Sequence, residues 1–302
     1  MVNQRKPLVS VIGSFPAIFD VSACMRGYFQ GDSGCWQEVV SSAVNQMVNC
    51  GVESVSDGQV RDIFTNVFIR GLGGCRVRER CEVIGPVEWA HPITLSDVKL
   101  TRKLTPEGCE VFGFVAGPFT LMRSVVDLFY HDEKQLCFDF ANALNEELKS
   151  LAAFVDMVGI DEPFFSNEFP EYAKELLSVV VEDISHPVRL HVCGDVSGIV
   201  PDLLDLDVDV LSHEFCVRPQ LFDVFSEFES SKLMCVGSLR SDSMVVESVE
   251  SVCSHLNHAV EVFGDRIVQV SPDCGLRMLS LDVATIKLRN LVAGREAVFG
   301  VE

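Results

Sequence analysis

Positive charge is scarce in this sequence: 24 Lys+Arg stand against 44 Asp+Glu, a formal net charge of −20 over 302 residues. A nucleic-acid surface needs a basic stripe to displace counterions, so DNA, RNA and anionic membrane faces are excluded as default partners. Long apolar runs are missing too. The polar start Met1 to Lys6 leads into an apolar stretch that Gly13, Ser14 and Pro16 interrupt, too short for a signal peptide or a spanning helix. The expectation is a cytoplasmic protein without membrane association. Twelve cysteines in 302 residues fall well below the density of a disulfide-stapled scaffold, and a cytoplasm would keep them reduced. There is also no Gly/Ser/Pro linker, low-complexity tract or repeat longer than a strand–helix unit. That favours one domain over 1–302.

What the sequence does have is apolar content, 48% of residues, enough for a large core and too much for disorder. Short β-rich runs alternate with amphipathic stretches. The strand candidates are Leu8–Ser14, Glu53–Asp57, Val111–Ala116, Met157–Asp161, Val188–Asp195, Val208–Glu214, Leu233–Ser238 and Ile267–Ser271. Helical patterns occupy Cys35–Asn49, Glu133–Phe154, Glu171–Val181, Val246–Phe263 and Val283–Ala293. Eight strands is the number that closes a parallel barrel, so the predicted fold class is α/β, a single (βα)8 TIM barrel. Two apolar runs around Pro86 and Pro92 break the alternation and read as an inserted hairpin around residues 75–110.

In such a barrel the chemistry sits at the carboxyl ends of the strands. Polar residues fall there repeatedly: Ser14, Asp57 and Gln59, Asp161 and Glu162, His191 and Cys193, Glu214, and Cys274. The segment Arg189-Leu190-His191-Val192-Cys193-Gly194-Asp195 is the most informative, because residues two apart on a strand share a face. Imidazole and thiolate together suit zinc, while the bland alternative is a buried barrel His and Cys. Glu214 at the next strand end and Cys274 would approach the same mouth, with His213 and Cys216 competing for the place given to Glu214. The remaining cysteines read as buried or incidental.

With these residues placed, the sequence resembles the catalytic barrel of cobalamin-independent methionine synthase, over nearly the whole chain. The matching motifs, in order, are Val11-Ile12-Gly13-Ser14-Phe15-Pro16, Ser56-Asp57-Gly58-Gln59-Val60-Arg61, Ile160-Asp161-Glu162-Pro163, His191-Val192-Cys193 with Glu214, and Ser271-Pro272-Asp273-Cys274-Gly275-Leu276. The resemblance implies Zn2+ held by His191, Cys193, Glu214 and Cys274. It implies a homocysteine carboxylate on Ile12, Gly13 and Ser14, and its ammonium on Asp161 with Gln59. Asp161 and Glu214 would be the catalytic residues, Glu214 as a labile ligand that yields to the entering sulfur. Two cysteinates and a glutamate carry −3 against the +2 of zinc, which keeps electron density on that sulfur.

The departures from the family are as informative. The long folate-using enzymes have a second barrel, for which this chain has no room. They also have a folate-stacking tryptophan, where Arg123 and Ser124 stand here, and a proton-shuttling histidine, where Asp242 stands. The resemblance is therefore to the short single-barrel enzymes of archaea and some anaerobic bacteria. It implies a methylcorrinoid donor, as methylcobalamin or a corrinoid protein, rather than methylfolate. Two alternatives stay open: a methylcorrinoid:coenzyme M type thiol methyltransferase, and a non-catalytic zinc-binding barrel that docks a corrinoid protein. The acidic surface reads as a solvated shell or as the complement of a basic corrinoid protein.

Overall fold

Val, Ile and Leu crowd the predicted runs because a parallel barrel strand is covered on both faces, by the interior on one side and by helices on the other. The computed structural model describes residues 6–29 and 34–300. Its strands are β1 (Leu8–Val9), β2 (Ser54–Val55), β3 (Gly73–Val77), β4 (Cys81–Glu88), β5 (Glu110–Ala116), β6 (Val126–Asp127), β7 (Met157–Asp161), β8 (Val188–His191), β9 (Val210–His213), β10 (Leu233–Gly237) and β11 (Ile267–Ser271). Eight of them form one parallel sheet in the order β1-β11-β10-β9-β8-β7-β5-β2. A parallel bridge between Ser10 and Ser54 joins the two ends, so the sheet closes into the expected TIM barrel.

All eight barrel strands lie where the sequence placed them, but several stop early. β1 ends at Val9 rather than Ser14 and β8 at His191 rather than Asp195. Gly13 and Gly194 have φ of +90° and +93°. That left-handed backbone cannot continue a strand, and it turns the chain into the loops that carry Ser14 and Cys193. The helices Gly34–Asn49, Glu133–Leu151, Ala173–Val180, Val249–Phe263 and Leu281–Phe299 match the predicted ones to within a few residues. Cys24 and Cys35 form a disulfide, contrary to the expectation of free thiols throughout.

The insertion needs a sharper correction. β3 and β4 are the antiparallel hairpin, and β6 adds a third, parallel strand beside β4. The hairpin therefore spans Gly73 to Glu88, not 75–110. Leu95–Leu104 is a helix that buries Asp97, Val98 and Thr101, and Glu110 already belongs to the barrel strand β5.

One carboxylate anchors the link between hairpin and helix. Glu147 is fully buried and accepts from the Trp89 indole Nε1 at 2.9 Å, the Ile93 and Thr94 amides at 2.8 Å each, and Thr94 Oγ1 at 2.8 Å. Replacing it by leucine strands four donors. We expect Glu147→Leu to cost about 3 kcal/mol or more in urea unfolding followed by circular dichroism, and Glu147→Gln clearly less.

Inside the barrel, Ile12, Phe112, Phe114, Met157, Val210 and Cys235 form a small apolar cluster, separate from the large core between sheet and helices. Above this plug, at the carboxyl ends of the strands, the interior becomes polar. No helix among the described residues is long and apolar enough to cross a membrane.

Candidate metal centre and acceptor cavity

His191 ends β8 facing the barrel interior, and the turn at Gly194 folds Cys193 back toward it. Its Nε2 lies 2.9 Å from Cys193 Sγ, which lies 3.0 Å from Cys274 Sγ, brought in by the loop after β11. The three donor atoms sit within 4.8 Å of one another. The other ring nitrogen of His191 meets Ser212 Oγ on β9 at 3.1 Å, which fixes the ring's orientation. Cys274 is the more acidic thiol of the pair. The Cys193 and His191 hydrogen bonds pull its pKa well below the ordinary thiol value, and the same Cys193–Cys274 contact drives Cys193 well above it. One imidazole and two sulfurs make a donor set that fits zinc with a coordination position to spare.

Glu214 does not join them. Its Oε2 accepts from the Gly194 amide at 3.0 Å and from Arg218 Nη1 at 2.6 Å. Arg218 is four residues on, in the turn that leaves β9, so a guanidinium reaches the carboxylate locally. The expected fourth ligand is thus held by an arginine instead. Neither competitor replaces it: His213 is buried among Phe215 and Phe225 with Nδ1 on Val192 O, and Cys216 lies outside the cluster.

The predicted substrate residues do come together. Ile12, Ser14, Gln59 and Asp161 line one cavity of about 270 Å³ with His191, Cys193 and Cys274. Gly13 borders it through its neighbour: a Cβ there would stand 2.6 Å from Gln59 Nε2, so only glycine lets that amide approach. Ser56 Oγ donates to Gly13 O at 3.0 Å and the Phe15 amide to Gly58 O at 2.9 Å, which stitches the first motif to the second. The Leu276 amide donates to Ser14 O at 2.7 Å and joins the last motif to the first.

Gln59 Nε2 is buried and has no hydrogen-bond partner. Burial pushes Asp161 up to about 6, against the pull of His191 and Arg189, so the carboxyl still ionises near neutrality.

Asp161 and Glu162 divide their work. Glu162 accepts from the Phe119 and Thr120 amides at 2.9 Å each and from Thr120 Oγ1 at 2.6 Å, capping the helix Pro118–Arg123, and burial raises it to about 7. Arg123 pairs with Glu133 and Glu168, and Ser124 donates to Thr120 O at 2.7 Å. Asp242 is paired with Arg240, both bonds at 2.9 Å, on the exposed surface. None of these three lines the cavity.

Sequence reasoning did not find Arg218, nor Asp273, whose carboxylate takes the Cys216 and Val217 amides at 2.9 and 2.7 Å and shapes the turn after Glu214. It also missed Ile63, Phe64 and Met278, the apolar side of the cavity. Asp273 lies inside a quoted motif, but no periodicity marks it as a backbone clamp.

Comparison with known proteins agrees with the barrel fold. The family described as cobalamin-independent synthase, catalytic domain, matches residues 8–296. A methionine synthase of Methanothermobacter marburgensis is 32% identical, covering 94% of this chain and 98% of its own. One from Methanocaldococcus jannaschii is 30% identical, covering 96% and 99%. Among solved structures, a B12-independent methionine synthase from Shewanella sp. W3-18-1, in complex with selenomethionine, superposes with a TM-score of 0.81 at 23% identity over 96% of this chain and 97% of that one. The family match over almost the whole barrel, and two relatives at 30% identity or more that are covered end to end, show that the chain belongs to the cobalamin-independent methionine synthase family.

Proposed function

We propose that this chain transfers a methyl group to the sulfur of homocysteine, with Zn2+ held by His191, Cys193 and Cys274. The observation that carries the reading is the opening of that cluster into the same cavity as Ser14, Gln59 and Asp161. When bound, zinc supplies stabilisation of the acceptor sulfur as a thiolate at neutral pH, where a free thiol is only a few per cent ionised. Asp161 accepts from the substrate ammonium, and its buried carboxylate gains charge-assisted hydrogen bonds there. Ser14 Oγ donates to the substrate carboxylate, and Gln59 Oε1 joins Asp161 in accepting from the ammonium. Ile63, Phe64 and Met278 give the cavity an apolar side, with Ile63 and Met278 at its exposed mouth.

For the donor we propose a methylcorrinoid. Arg123, Ser124 and Asp242 support this: they occupy the places of the folate enzymes' tryptophan and histidine, and all three are committed to partners outside the cavity. Methylfolate is the second reading, favoured by the family description and by the B12-independent relative among solved structures.

Zinc-loaded protein is incubated with homocysteine and either methylcobalamin or methyltetrahydrofolate, and methionine is measured by mass spectrometry. Methylcobalamin is expected to turn over at least about tenfold faster, since its leaving cob(I)alamin needs no proton whereas the folate nitrogen does. Faster turnover from methyltetrahydrofolate overturns the donor assignment. Transfer to coenzyme M but not to homocysteine overturns the acceptor.

A further inference from the structure

Two residues before His191, on the same face of β8, Arg189 is fully buried inside the barrel. A guanidinium withdrawn from water is costly unless its donors are satisfied. Arg189 Nη1 donates to Ser10 Oγ at 3.0 Å and Gln269 Oε1 at 2.9 Å, and Nη2 donates to Val11 O at 2.8 Å, while Nε has no hydrogen-bond partner. Its planar group lies 3.8 Å from the centroid of the Phe112 ring. These oxygen acceptors are neutral. The side chain therefore ties four strands together through β8, β11, β5 and the end of β1.

Those strands lead to the parts of the site. Ser10 and Val11 run directly into Ile12-Gly13-Ser14, Gln269 lies on the strand that leads to Cys274, and Arg189 shares its strand with His191. Lysine, a point charge without a planar fork, cannot hold the three acceptors and stack on Phe112 at once.

We propose that Arg189 is a positioning residue that sets the Ile12–Ser14 loop against the His191, Cys193 and Cys274 cluster, so that the acceptor's carboxylate and sulfur are held at one spacing. This rests on the reading of that loop as the carboxylate cradle.

The test uses the full chain loaded with cobalt(II), whose thiolate charge-transfer absorption reports the entering sulfur without turnover. Homocysteine is compared with 3-aminopropanethiol, which has the same thiol and amine and no carboxylate. In the wild type, homocysteine is expected to bind more tightly. In Arg189→Lys, the Kd of homocysteine is expected to rise about tenfold, the size of one lost charge-assisted hydrogen bond, while that of 3-aminopropanethiol stays within about twofold. Ser10→Ala, which removes one acceptor with little change of volume, should show the same selectivity at about threefold, and it decides the matter if Arg189→Lys does not fold. Equal weakening of both thiols, or no change for homocysteine, overturns the proposal. A wild type that binds both thiols equally removes the cradle reading itself, and the role of Arg189 with it.

Discussion

Replacing Cys274 by serine is expected to lower kcat/KM for homocysteine methylation by about 10³-fold or more, corresponding to about 4 kcal/mol of transition-state stabilisation. Cys274 is one of the two sulfurs of the cluster and the more acidic of them. Serine keeps the shape but does not ionise near neutrality, so the donor set falls to one imidazole and one sulfur. Zinc content, measured by inductively coupled plasma mass spectrometry after dialysis against a weak chelator, should drop with the activity. Full zinc content together with undiminished turnover would refute the assignment of Cys274. The control is Cys216→Ser, which alters a half-buried thiol outside the cluster and should retain both metal and activity.

The second large effect is expected at Asp161. Asp161→Asn should reduce kcat/KM by about 10²–10³-fold, because an ammonium brought into a buried site without its carboxylate loses about 3–4 kcal/mol. The loss should appear chiefly as a raised KM for homocysteine, with zinc content unchanged, since Asp161 is not part of the cluster. A variant that loses zinc in proportion to its activity would place Asp161 in the metal site instead. A thiol acceptor without an amine should be nearly indifferent to the change, which separates loss of the ammonium contact from general damage.

The two effects draw on different parts of the sequence, and those parts were not equally legible. The barrel could be read because a strand covered on both faces must be apolar almost throughout, as in Glu110–Ala116 and Leu233–Gly237. The residues that interrupt such runs at one end then stand out. His191, Cys193, Cys274, Ser14, Gln59 and Asp161 were visible for that reason, and the structure gathers them into one cavity. Glu214 stood out in the same way, but its carboxylate rests on Arg218 and the Gly194 amide, contacts that spacing alone does not encode. The helix Leu95–Leu104 was hidden within the insertion because two of its three buried positions, Asp97 and Thr101, are polar and break the apolar stripe. Its Asp97 is satisfied by Arg61, a contact made across the fold. Arg189 offered a signal that went unused, a charged residue within an apolar strand, on the side that faces the site.

The neighbouring acids at the end of β7 have a consequence for how this site tolerates change in chain length. Asp161 faces the cavity, and Glu162 faces outward to cap the helix Pro118–Arg123. Because successive strand residues point to opposite faces, a slip of β7 by one position against β8 would exchange them. The longer acid would then enter the cavity and the shorter one would fall away from the helix it caps. Substrate contact and helix anchoring are thus coupled to a single alignment, and an insertion or deletion between Met157 and Asp161 would damage both, whereas exchanges of equal length at Val158 or Ile160 would disturb only the packing behind the strand.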